Sequence, residues 1–235
     1  MTNNTKSTRS PAAQWFALTP AGALHAFACK TPGETELALQ ALLAGEWTLD
    51  MVDWTSAHVQ APAVFSSAVV NGWVQPLRRP VQSPKARLDD FLPRVIASLS
   101  GECRAVLASE GGFCLGRAGM AQDQAEIVSA AAADYSEFAA RQARRGWDGA
   151  TRCVAFHGGA PFLQPSCSFV PFWVDGAGYW LIIMGEPRLN NPALLELFWA
   201  IKQAGNRFGA AGKTQTPAGP VGPAHPVHPA LGGLL

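Results

Sequence analysis

The sequence predicts an α/β chain of the α+β kind, in which an antiparallel five-stranded sheet is sandwiched by helices and preceded by a smaller module. Three observations predict it. From Leu88 onward, apolar residues switch between helical spacing and short β-prone runs in the order α-β-β-α-β-β-β-α. The pairs Gly111-Gly112, Gly158-Gly159 and Asp175-Gly176 punctuate the β-prone runs as tight turns, so neighbouring strands should pair antiparallel. The run Tyr179-Trp180-Leu181-Ile182-Ile183-Met184 is apolar without alternation, as expected of a strand covered on both faces.

Residues 1–13 are rich in Ser, Thr and Asn and are expected to be disordered, and residues 14–80 are read as the first folded unit. Within it Thr31-Pro32-Gly33-Glu34 is a helix start with Thr31 as N-cap, followed by Leu37, Leu39, Leu42 and Leu43 and stopped near Gly45. Trp47 to Val52 is short and β-prone. Asp53-Trp54-Thr55 opens a brief helix, and Ala61-Pro62 opens another that carries Val64, Phe65, Ala68 and Val69 to Asn71-Gly72. Trp73-Val74-Gln75 is an extended exit. Pro76 to Arg87 holds three prolines and four basic residues, and a linker is placed at residues 81–87.

The second unit, residues 88–208, opens with Leu88, Phe91, Leu92, Val95, Ile96 and Leu99 on one helix face. Asp90 is the expected cap, because Pro93 deeper inside a helix would cost about 3 kcal/mol. Cys103 to Ser109 and Phe113 to Gly116 follow as strands around Glu110-Gly111-Gly112. A long helix from Gln122 to Arg145 aligns Ile127, Ala131, Tyr135 and Phe138, its run Ala130 to Ala133 permits close approach of a partner, and Gly146 stops it. Further strands are expected over Thr151 to His157, over Phe162 to Val174 with a break near Pro165 or Pro171, and over Tyr179 to Met184. A last helix starts at Asn191-Pro192 and carries Leu194, Leu195, Leu197, Phe198 and Ile201 towards Gly205. Residues 209–235, rich in Gly, Pro and His, are expected to be a disordered tail.

Bulk properties narrow the function classes. The 235 residues are 48% hydrophobic and only 15% charged, so some apolar surface should remain outside the core, as on a self-association face. A net charge of +1, from 18 basic and 17 acidic residues, supplies no whole-chain field for nucleic acid or anionic membrane. Cys29, Cys103, Cys114, Cys153 and Cys167 are odd in number and lack a C-x-x-C spacing; they read as buried small hydrophobes in a reducing compartment. No apolar run reaches the roughly 20 residues of a membrane helix and Met1 to Ser10 lacks a signal core, which leads us to expect a cytoplasmic protein.

Candidate chemical motifs are few. Gly111-Gly112 lacks the lysine and helix start of a phosphate cradle, so it is a turn. Cys114 and His157 could pair as nucleophile and base, but a cysteine in an apolar strand has a raised pKa, and no catalytic residue is assigned. His225 and His228 could touch a metal, against the ordering cost of a floppy segment; no metal or cofactor is assigned. Arg141, Arg144 and Arg145 sit where cations favour a helix C-terminus and double as an anion or partner contact. Ala61 to Gly72 contains no Lys or Arg, so a nucleic-acid contact would fall to Arg78, Arg79, Lys85 and Arg87. Trp15, Trp47, Trp54 and Trp73 read as staples of small cores.

Two resemblances follow. The Leu88 to Leu99 helix running into Cys103 to Ser109, the Gly111-Gly112-Phe113 turn with its strand, and the long Ala-rich helix together resemble the roadblock/dynein-light-chain family. The prolines of Pro161 to Pro171 depart from that pattern. The resemblance implies a homodimer or heterodimer joined through the long helix and an adjacent sheet edge, with no cofactor and no chemistry of its own. It also implies a regulatory adaptor whose partner is a protein, a small Ras-like GTPase being the specific candidate in bacteria. Ile127, Ala131, Tyr135 and Phe138 then belong to the interface, the alternative being that they pack the monomer's own sheet. The run from Trp47 through Gly72-Trp73-Val74 resembles a winged helix-turn-helix. It implies a protein-docking module or, alternatively, a DNA-binding transcriptional regulator that dimerises through the second unit.

Overall fold

Seven helices and two antiparallel sheets, of three and five strands, are seen in the computed structural model, which describes residues 14–85, 87–147, 153–158 and 164–211, the side chains of 206–211 excepted. The larger sheet begins with α5 (Leu88–Ser98), β4 (Ala105–Ser109), β5 (Cys114–Ala118) and α6 (Gln122–Ala143). It continues through β6 (Val154–Phe156), β7 (Cys167–Val174) and β8 (Ala177–Met184) to α7 (Ala193–Ala211). The strand order is β5-β4-β8-β7-β6, so the run Tyr179 to Met184 is the central strand.

Side chains that alternate along β8 explain why that run is apolar throughout. Leu181 and Ile183 are buried with Leu92, Val95, Ile96 and Leu99 from α5 and its end, and with Leu194, Leu197 and Phe198 of α7. Trp180 and Ile182 are buried on the other face with Val106, Ala108 and Phe169, beneath Ala125 and Ala132 of α6. The β7–β8 turn has Asp175 at φ 49° and Gly176 at φ 81°, a two-residue connection whose left-handed pair matches the strand twist.

The first unit comprises β1 (Trp15–Leu18), α1 (Pro20–Ala26), α2 (Glu34–Ala41), β2 (Leu49–Asp50), α3 (Met51–Ala57), α4 (Ala61–Val70) and β3 (Val74–Leu77). Its strands lie in the order β2-β1-β3. Thr19 caps α1, its Oγ1 accepting from the Gly22 N–H at 3.0 Å and donating to the Gly72 carbonyl at 2.6 Å. A Cβ at Gly22 would overlap the Trp73 carbonyl, so only glycine lets α1 lie this close to the start of β3. Trp54 is fully buried and donates from Nε1 to the Ala38 carbonyl at 2.7 Å.

One apolar cluster runs through both units. The Phe27 and Phe198 rings lie 5.1 Å apart, and Trp199 Nε1 donates to the Gly45 carbonyl at 2.8 Å. Gln203 Nε2 reaches the carbonyls of Leu43, Ala44 and Gly45 at 3.2, 3.1 and 2.8 Å, satisfying the acceptors left over where α2 ends. Residues 81–83 are pinned to 46–48: the Thr48 N–H donates to Val81 O and the Ser83 N–H to Glu46 O.

Several expectations are corrected by the structure. α2 starts at Glu34 with Gly33, not Thr31, as N-cap, because Glu36 Oε2 accepts from the Gly33 N–H at 3.0 Å. The strand expected over Trp47 to Val52 shrinks to Leu49–Asp50, since Asp50 accepts from the Asp53 N–H and caps α3 at Met51. α5 begins at Leu88, so Asp90 is not its cap and Pro93 lies inside it; Asp89, four residues before the proline, is exposed, which spares its carbonyl a buried orphan state. Of the two expected break points, Pro165 lies just before the strand, which starts at Cys167 and runs unbroken through Pro171; this proline pairs with Trp180 two residues past the described pairing of β7 with β6, where a missing N–H is tolerated. The cysteines are not buried: Cys29, Cys103 and Cys153 are exposed and Cys114 and Cys167 half-buried, Cys103 because it turns the chain at φ 54°. Trp47 is half exposed and staples no core. The disordered tail expected from residue 209 is corrected at its start, since α7 continues to Ala211; residues 1–13, 212–235 and Gly159 of the Gly158-Gly159 turn lie outside the described residues.

Candidate functional site

The long helix α6 is built to lie close to the sheet. Its inward positions Ala125, Ser129, Ala132 and Ala139 are small and buried, and Ser129 folds its hydroxyl back onto the Ala125 carbonyl. The Ala130 to Ala133 run is used inside the chain: a Cβ at Gly112 would stand 3.0 Å from Ala133 Cβ and 3.1 Å from Ser129 O, so the β4–β5 turn packs on it. The turn covers part of the run, and Ala130 stays exposed.

Ile127, Ala131, Tyr135 and Phe138 follow i, i+4, i+8 and i+11 and form one stripe on the flank of α6. The stripe is divided. Ala131 and Tyr135 are partly buried and pack on the chain's own sheet; the Tyr135 ring meets Phe169 edge-on at 4.9 Å and lies 5.9 Å from Phe156. Ile127 is 69% exposed and Phe138 39% exposed, on the same flank. Phe156, in the outermost described strand β6 and next to Tyr135 of the stripe, is 44% exposed, and Trp147 stands edge-on to Phe138 at 6.3 Å. Sequence patterning marks the α6 stripe but misses Phe156 and Trp147, whose part in the face depends on how β6 and the end of α6 fold back.

Other predicted positions are spread over the surface. Arg141, Arg144 and Arg145 are exposed at the end of α6, and Arg141 pairs with Glu137 at 3.5 Å, a contact of little worth in water. Arg78, Arg79, Lys85 and Arg87 are exposed after β3 and away from α4, whose outer side shows Val69 and Val70 instead. Cys114 and His157 are not brought together: they belong to opposite edges of the sheet, four strand spacings or roughly 19 Å apart. His225 and His228 lie outside the described residues.

Titratable groups near this face are shifted by burial, away from reactivity. The Cys167 thiol is pushed up to about 11, and Tyr135 is raised by burial first and then by the nearby Cys167 and Asp134 charges. Among the described residues no group of three or more His, Cys, Asp or Glu side chains converges to hold a metal ion, and no helix is long and apolar enough to cross a membrane. Comparison with family models, with curated proteins and with solved structures finds no match for this chain.

Proposed function

We propose that this chain is a non-enzymatic regulatory adaptor that dimerises, with itself or a related domain, through α6 and the adjoining β6 edge, in the manner of a roadblock-like domain. The observation that carries the proposal is the exposed apolar face of Ile127, Phe138, Trp147 and Phe156, next to the outermost described strand of the sheet. Singly exposed apolar residues are ordinary; several of them beside the outermost described strand have the composition of an interface. The element order and the central position of β8 support the roadblock likeness. A winged-helix-like reading of the first unit rests on the order α2-β2-α3-α4-β3, and the uncharged α4 with exposed Val70 favours protein docking over DNA. A small Ras-like GTPase is the partner this reading proposes.

The stripe's division gives a clean test. Ile127→Glu places a charge on an exposed position and should leave unfolding stability within about 0.5 kcal/mol of the parent. In sedimentation equilibrium the parent should be dimeric at micromolar concentration and Ile127→Glu monomeric. A parent that is monomeric at every accessible concentration refutes the assignment.

A further inference from the structure

We propose that a cleft under the C-terminal half of α6 seats the proline repeat that follows α7. The inference is independent of the dimer face, which lies on the other flank of α6. The cleft encloses about 280 Å³, near the lower end for ligand sites. Its floor is Pro171 and Trp173 of β7 with Trp180 of β8. Because Trp173 pairs with Gly178 and Trp180 with Pro171, the two indoles are diagonal neighbours on one face of the sheet. Ala139, Ala140 and Ala143 wall one side, and their small size is what leaves the space. At the rim Lys30 and Glu110 pair at 3.4 Å and cancel each other's charge.

The cleft is therefore apolar and aromatic, with one unmet polar demand. Trp180 Nε1 donates to Ser136 Oγ at 2.7 Å, whereas Trp173 Nε1 is buried without a partner. Unpaired buried donors are rare and costly, and because the Trp173 indole lines the cleft, a small turn of the ring would present this donor to a carbonyl brought in by whatever fills it. A polyproline II segment presents that chemistry: apolar rings outside, and carbonyls that have no internal hydrogen bond.

The chain carries such a segment. Pro217, Pro220, Pro223, Pro226 and Pro229 recur at every third position, with no charged residue between the first and the last. Polyproline II has three residues per turn and rises roughly 3.1 Å per residue, so all five rings fall on one ridge at intervals of roughly 9 Å. Aromatic grooves read such ridges. The segment also follows a helix that passes one end of the cleft's floor. α7 passes the tip of the β7–β8 hairpin, where Lys202 Nζ meets Asp175 Oδ1 at 2.6 Å, and Asp175 is two residues from Trp173. The six residues from Ala211 to Pro217 can span roughly 20 Å, and a tether of that length gives a local concentration on the order of millimolar.

The test reads the indole N–H signals of the full chain by two-dimensional NMR, with Trp173→Phe, which keeps a ring and removes the donor, to assign the Trp173 signal. In the full chain that signal should lie downfield and exchange slowly. It should move upfield and exchange faster in a variant ending at Ala211, and return when a synthetic peptide of residues 215–230 is added at millimolar concentration. Should Trp173→Phe fold poorly, a chain with Pro220, Pro223 and Pro226 replaced by alanine leaves the folded units untouched and should reproduce the truncation. Superimposable Trp173 and Trp180 signals in the full and truncated chains would overturn the proposal. So would a shift that disappears on dilution, because the cleft would then be filled by a second copy.

Discussion

The two faces of the five-stranded sheet are packed by opposite means. Towards α5 and α7 the sheet meets large residues, Leu92, Ile96, Leu99, Leu194, Leu197 and Phe198, all essentially inaccessible, and the same cluster continues into the first unit. Towards α6 the sheet itself supplies the bulk, Phe169 and Trp180, and the helix supplies Ala125, Ser129 and Ala132. Large-to-large packing fills space and stores stability. Small-on-aromatic packing holds α6 close along its middle, yet leaves an open cleft at one flank and an exposed stripe at the other. The first face is filled by large side chains throughout, and the second leaves apolar surface exposed.

That contrast is broken most directly by Phe198→Ala. The ring lies 4.5 Å from Phe172 and 5.1 Å from Phe27, so its removal opens a cavity shared by both units and should cost about 3–5 kcal/mol. Denaturant unfolding followed by tryptophan fluorescence should show a single transition at lower midpoint. Two separated transitions would mean that the shared cluster does not couple the units.

A smaller effect is expected at the polar seam of the same face. Gln203→Ala leaves the carbonyls of Leu43 and Ala44 without that donor, and Gly45 with Trp199 Nε1 alone, and should cost about 1–3 kcal/mol. Gln203→Glu should be no better, because a carboxylate offers no N–H. If Gln203→Ala unfolds at the parental midpoint, water replaces the amide and the seam contributes specificity rather than stability.

How much of this was legible beforehand depended on the range of the interaction concerned. Local patterns carry α5, α6 and β8: a helical repeat in Leu88 to Leu99, another in Ile127 to Phe138, and an unbroken apolar strand. β1 and α1 are four and seven residues long, and their signals, Trp15-Phe16-Ala17-Leu18 and the Thr19-Pro20 start, are too short to carry a period. The exposed cysteines are illegible because exposure belongs to the turn geometry around them, as at Cys103. The stripe on α6 shows a period but not its division into core and surface, which is set by how far the helix rolls on Gly112 and Phe169. The cleft is assembled from residues near 30, 110, 140 and 175, so no local window contains it.

The smallest predicted effect concerns the margin of the α6 face. Cys167 is half-buried where β7 meets β6, and burial raises its thiol from the ordinary 9.0 to about 11. A thiolate is what alkylating reagents attack, so at pH 8 Cys167 should react with iodoacetamide more slowly than the exposed Cys29, as read by peptide mass spectrometry. The sign for stability follows from proton binding. Because the folded chain holds this proton more tightly than the unfolded chain, the contribution is complete below about pH 9 and is lost as pH rises towards about 11. Cys167→Ala should flatten that part of the alkaline stability profile. Equal alkylation rates at Cys167 and Cys29 would show that the β6 margin opens to water readily, and the α6 face would then be looser at its β6 edge than its aromatic contacts imply.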